Sequence, residues 1–171
     1  MRKKSILLAV IIEMLGCVLW HGARAEEPFA VIGDWTLFKI VDEKKGLLCY
    51  MVSLPQKRYD NFNKRGQSFF SVITEGGGGK TSEIYLSFGH IMNKKIVSAE
   101  LDIVKRKFPI FVYDDKAWAY NTVDDDNIVK NLKKSAVFSV NVEYENGKRL
   151  IDLYSLNGFE EAHEELLKTC K

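Results

Sequence analysis

The chain has little proline or glycine, 3 and 12 residues of 171, and no large excess of one charge, with 25 basic against 23 acidic side chains. Collagen-like, low-complexity and disordered classes each need one of those features and are excluded. There is no internal repeat, no linker and, beyond the N-terminal segment, no apolar window long enough to span a bilayer. A Gly-x-Ser-x-Gly nucleophile elbow is missing, as is any His or Cys pair at metal-ligand spacing. What remains is 46% hydrophobic and 12% aromatic residues, enough for one packed domain and too little for two.

Residues 1 to 25 read as a secretory signal peptide. Met1-Arg2-Lys3-Lys4 supplies the basic start, Ser5 to Ile12 begins the apolar stretch, and Ala23-Arg24-Ala25 places small residues where signal peptidase inspects them. Cleavage is expected between Ala25 and Glu26. Loss of Arg2, Lys3, Lys4 and Arg24 leaves 21 basic residues, loss of Glu13 leaves 22 acidic ones, and the net charge of residues 26 to 171 becomes −1. A general affinity for nucleic acid or an anionic membrane then has no support. As a retained anchor, Ser5 to Trp20 spans only 16 residues and contains Glu13, short of the roughly 18 to 20 apolar residues a bilayer core requires. Lipidation at Cys17 is the other alternative, because Gly16 precedes it, but Met14 three residues upstream is an unusual choice.

Two cysteines remain after cleavage, Cys49 and Cys170. In an exported chain an even pair is most simply a disulfide, the alternative being two buried free thiols.

From residue 26 onward the dominant signal is alternation broken by frequent turns. Trp35 to Val41 and Leu47 to Leu54 flank Asp42-Glu43-Lys44-Lys45-Gly46 as a first hairpin, and Gln67 to Thr74 and Thr81 to Phe88 flank Gly76-Gly77-Gly78-Gly79 as a second. Further strands are expected at Lys95 to Val104, Phe108 to Tyr113 and Ala117 to Tyr120. Ala136, Phe138, Val140, Val142 and Tyr144 share one face of a last hairpin, which turns at Asn146-Gly147 and returns through Leu150 to Tyr154. Two short helices interrupt this pattern. Asp124-Asp125-Asp126 opens the first, Ile128, Val129 and Leu132 form its apolar stripe, and lysines close it. Asn157 is placed to cap the second with Glu160 at capping-box spacing, and Phe159, Ala162, Leu166 and Cys170 share a face that should lie on a sheet. Cys170 then points inward, toward a partner on a strand. The expected fold is mainly β: a single antiparallel β-sandwich or barrel-like domain with two short α-helices, preceded by a signal peptide.

The motifs that invite a chemical reading lead nowhere definite. Gly79-Lys80-Thr81 lacks the glycine that a phosphate-binding loop needs at the position of Thr74, and an alternating segment follows it instead of a helix. Asp124-Asp125-Asp126 fails the calcium-loop template at Val129 and Ser135, and helix capping accounts for it more simply. His90 and His163 are isolated, and His163 beside an apolar stripe reads as a packed or rim histidine. Lys57-Arg58, Lys94-Lys95 and Lys105-Arg106-Lys107 read as solvated strand ends, although the last, beside Phe108, is the site to consider for an anionic surface. No catalytic, cofactor-binding or metal residues are assigned.

Several segments together carry a resemblance. Gly33-Asp34-Trp35, Cys49-Tyr50, Asp115 through Ala117-Trp118-Ala119 to Leu132-Lys133-Lys134, and Asp152-Leu153-Tyr154-Ser155-Leu156-Asn157-Gly158-Phe159 followed by Cys170 make the chain similar to the invasion-associated locus B family of exported bacterial proteins. The match runs over most of residues 31 to 170, and Gln56 to Lys80 is its least family-like part. The resemblance implies a β-rich domain in the periplasm or on the cell surface, linked in some members to invasion of host cells and virulence, with no catalytic residues to carry over. The expected function is thus a non-enzymatic envelope protein that binds a macromolecular partner, a protein or glycan of the envelope or host surface. The alternatives are an envelope hydrolase or carbohydrate-active enzyme using paired carboxylates, and a structural role in envelope maintenance.

Overall fold

The computed structural model describes residues 27–43, 46–60, 65–77, 82–92 and 96–171; the expected signal, Ala25, Glu26, Cys17 and the Gly79-Lys80-Thr81 tract lie outside them. Twelve strands and two helices follow one another as β1 (Ala30–Ile32), β2 (Trp35–Asp42), β3 (Gly46–Ser53), β4 (Lys57–Asp60), β5 (Phe69–Glu75), β6 (Ser82–Ser87), β7 (Ile96–Ile103), β8 (Arg106–Pro109), β9 (Phe111–Tyr113), β10 (Lys116–Trp118), α1 (Thr122–Leu132), β11 (Val137–Tyr144), β12 (Arg149–Ser155) and α2 (Phe159–Thr169). They form two antiparallel sheets, a seven-stranded one in the order β1-β2-β3-β5-β6-β10-β9 and a five-stranded one in the order β4-β12-β11-β7-β8. This is a β-sandwich.

The core lies where alternation places it. Trp35 and Leu37, Cys49 and Met51, Phe70 and Val72, Ile84 and Leu86 are the inward positions of the larger sheet, and all are fully buried. Phe138, Val140, Val142, Leu150 and Tyr154 face them from the smaller sheet. Phe70 sits at the seam, 4.8 Å from the ring of Phe138 and 6.2 Å from that of Trp35.

α2 covers the part of the larger sheet that the smaller one leaves open. Phe159 meets Trp35 edge-on at 5.0 Å, and Cys170 is joined to Cys49 with their Cα atoms 5.8 Å apart. The turn before the helix presses on the β1–β2 turn. A Cβ on Gly33 would stand 2.3 Å from the carbonyl oxygen of Asn157, and one on Gly158 would stand 2.7 Å from that of Ile32. Both residues have positive φ, 56° and 79°, so glycine is required there on conformational and steric grounds alike. The Asp34 amide donates to the Asn157 carbonyl across this junction at 3.1 Å.

Several expectations need correction. Asn157 does not cap α2: Gly158 occupies the cap position, with no side-chain hydrogen bond, and its carbonyl accepts the first helical amide, that of Ala162, at 2.9 Å. The run from Phe108 to Tyr113 is not one strand; it crosses from the smaller to the larger sheet at Ile110, whose amide still donates to Ala99. The strand expected at Lys95 to Val104 ends at a tight turn of Val104 and Lys105, both at positive φ without being glycine. Asn146-Gly147 lies in a three-residue loop, closed by the Tyr144 amide on the Lys148 carbonyl, with Gly147 left-handed.

The Cys49–Cys170 bond spans 121 residues of sequence, so its loss is expected to lower stability by up to about 5 kcal/mol on the chain-entropy model. Chemical denaturation of Cys170→Ser should show a midpoint well below that of the parent, and the parent treated with reductant should fall to the same value.

Candidate functional site

The chemically suggestive residues are mostly committed inside the fold. His163 Nε2 lies 2.9 Å from Ser82 Oγ, with both residues buried, and the imidazole stacks on Phe159. Burial, reinforced by Lys133, pulls the His163 pKa down to about 4, so the ring is neutral at physiological pH. Its Nδ1 has no partner among the described residues, so the third group that orients a catalytic histidine is missing from this pair.

The three aspartates of α1 point to separate tasks. Asn121, not an aspartate, is the cap residue; its side chain accepts from the Asp124 amide at 3.0 Å. Asp125 is buried and accepts the Ile84 amide at 2.8 Å. The reason is topological: β10 pairs with β6 only as far as Tyr85, so the next outward amide on that edge needs an acceptor from elsewhere. Burial pushes the Asp125 carboxyl up to about 6, opposed by that amide and aided by Glu83, Asp126 and Asp124.

A buried arginine bridges the smaller sheet to the adjoining loop. Arg65 donates to Asp152 in bidentate fashion, to Asp60 at 3.1 Å and to the Phe88 carbonyl. Its side chain is 2% exposed and that of Asp152 1%, so the group is a structural crosslink. The basic run Lys105-Arg106-Lys107 is dispersed, with Lys107 on Glu100 and Arg106 reaching Asn131.

The arrangement not assigned from sequence is the outer face of the larger sheet. Register places Thr36, Val52, Ser71, Tyr85, Trp118 and Phe111 in one row across six strands. A second row holds Phe38, Tyr50, Ile73 and Glu83, and a third Ile40, Leu48 and Glu75. Neighbouring rings touch: Phe38 stacks on Tyr50 at 5.1 Å, and Tyr85 meets Phe69 and Trp118 at 5.7 Å each. Trp118 is followed by Phe111 and Tyr120 at steps of 6.3 Å.

Between β2 and β6 these side chains outline a shallow groove of about 490 Å³, in which Ser71, Tyr50 and Tyr85 carry hydroxyls and the other lining residues are apolar. Ser71 is 2% exposed and its hydroxyl has no hydrogen-bond partner among the described residues. Both helices and the smaller sheet pack elsewhere: α2 and the smaller sheet lie on the inner face, and α1 against β6. The outer face of the smaller sheet is built differently. Ser139, Asn141, Glu143, Ser98, Glu100 and Asp102 occupy most of it, with Ile151 and Leu153 on β12, Val137 on β11 and Tyr59 on β4 as apolar exceptions. A solvated sheet face is ordinarily polar, as this second one is.

A signal for the apolar face did exist. Thr36 to Val41 and Leu47 to Val52 carry apolar residues at both parities, the pattern of strands covered on two sides. The fold and face define a disulfide-linked, two-sheet β-sandwich with one aromatic surface that no described element covers. No protein-family model, no curated protein and no solved structure matches the chain. Among the described residues no helix is long and apolar enough to cross a membrane.

Asp125 and His163 make opposing pH predictions. The folded pKa of Asp125 lies above its ordinary value of 3.8, so its contribution favours the fold at low pH and is lost as pH rises through about 6. The folded pKa of His163 lies below 6.5, so its contribution is full above that pH and is lost as pH falls toward 4. Asp125→Asn, which keeps an acceptor for Ile84 without charge, should match or exceed the parent's melting temperature at neutral pH. The difference should vanish in acid, where the parent's carboxyl is protonated; calorimetry across this range checks both signs.

Proposed function

We propose that the chain is an exported, non-enzymatic domain of the cell envelope that acts by holding a protein or glycan partner on the outer face of its larger sheet. The observation that carries this reading is the contrast between the two outer faces: one is polar, while the other is an aromatic surface with no described element over it. Contiguous exposed apolar patches of that kind mark interaction sites, and Tyr and Trp are the side chains on which such interfaces most depend. The Cys49–Cys170 bond supports an oxidising compartment, periplasmic or extracellular. The resemblance to the invasion-associated locus B family supports the same location and adds a role in host-cell invasion.

The hydrolase alternative has less to stand on. Asp125, the carboxyl pushed up toward neutrality, is spent on a backbone amide beneath α1, and Asp60 and Asp152 are tied to Arg65. The larger depression of about 640 Å³ beside β7 and β9 has Glu100 and Asp114 on its walls, but Glu100 is paired with Lys107.

A photo-reactive residue in place of Tyr50, expressed in the native host, should give a discrete adduct with an envelope or host-surface component on irradiation. The same residue in place of Asn141, on the polar face, should give none. Equal labelling from both positions, or from neither, would contradict the reading.

A further inference from the structure

A broad aromatic face held in water is a liability for any exported protein, because it favours unspecific association. We propose that, until its partner arrives, this face is covered by a second copy of the same chain packed sheet on sheet. The inference rests on the reading that this face is the binding surface, and it adds how that surface is kept from other contacts.

The face suits a second sheet in shape: its side chains stand in register rows of the kind that packed sheets interdigitate at about 10 Å separation. Ser71, 2% exposed, is already closed over by its own neighbours Val52, Tyr85, Tyr50 and Ile73 and takes no part in the contact.

The face is also complementary to itself in charge. Glu75 and Glu83 end the rows on one side, whereas Lys116 stands in the row of Phe69 and Ser87 at the other. A copy turned end for end sets Lys116 beside Glu83 of its neighbour, twice per dimer, as a two-fold contact requires. The area sets the strength. Five strand spacings by three two-residue steps give roughly 24 by 20 Å in projection, on the order of 500 Å². That falls below the roughly 800 Å² per partner of a standard stable interface, so the dimer is weak and its face exchangeable.

Sedimentation of the protein purified from the compartment in which it accumulates tests this. Monomer and dimer should exchange with a dissociation constant in the micromolar range. Glu83→Lys and Lys116→Glu should each weaken the dimer about tenfold, and the two together should restore it. Asn141→Lys should leave it unchanged. A monomer at all concentrations, or a dimer indifferent to both charge reversals, overturns the inference. If that monomer still gives the Tyr50 adduct with an envelope component, the second copy is wrong and the binding face stands; if neither dimer nor adduct forms, both fall.

Discussion

The docking of α2 onto the β1–β2 turn is the contact on which the rest of this sandwich depends. The smaller sheet covers only part of the larger sheet's inner face, and the remainder would be wet without the helix. Two left-handed glycines, Gly33 and Gly158, let the chains approach to a distance no side chain would permit. That approach brings Phe159 onto Trp35 and carries the end of the helix to Cys49, where the disulfide holds it. Gly33-Asp34-Trp35, Cys49, Asn157-Gly158-Phe159 and Cys170 converge on this junction.

Much of this was legible in the sequence because the interactions are local or periodic. Alternation identifies the hairpins of β2 with β3 and β11 with β12, and a three-and-four spacing puts Cys170 on the buried face of α2. What escaped depends on distant partners. Arg65 and Asp152 are 87 residues apart, and nothing near either one announces the pair. Asp125 reads as a capping residue until the shortness of β10 shows that an amide on β6 needs it. The turn at Val104-Lys105 has neither glycine nor asparagine to mark it, and the strand change at Ile110 follows from which sheet has an open edge on each side. Asn157 obeys the capping rule in sequence and breaks it in space, because the helix starts one residue later, on the carbonyl of Gly158.

The outer face of the larger sheet escaped for another reason. Strands such as Leu47 to Val52 are apolar at both parities, which sequence alone reads as a strand with two covered sides; only the topology shows one side without a cover among the described residues. The two sheets thereby divide their work. The smaller one shields the core and presents charge pairs to water, where Glu100 meets Lys107 and Glu143 meets Arg149. The larger one contributes one face to the core and leaves the other without a cover among the described residues.

The central claim is that this second apolar face exists for binding and not for folding. Replacing Phe38, Tyr50 and Trp118 together by threonine, a residue that suits strands, and measuring the free energy of unfolding beside Phe70→Ala separates the two. The account predicts a loss of about 1 to 2 kcal/mol for the triple change, the worth of a few cross-strand ring pairs, against about 3 to 5 kcal/mol for the core substitution. A triple variant that unfolds as readily as Phe70→Ala would make the outer rings part of the folding core and contradict it.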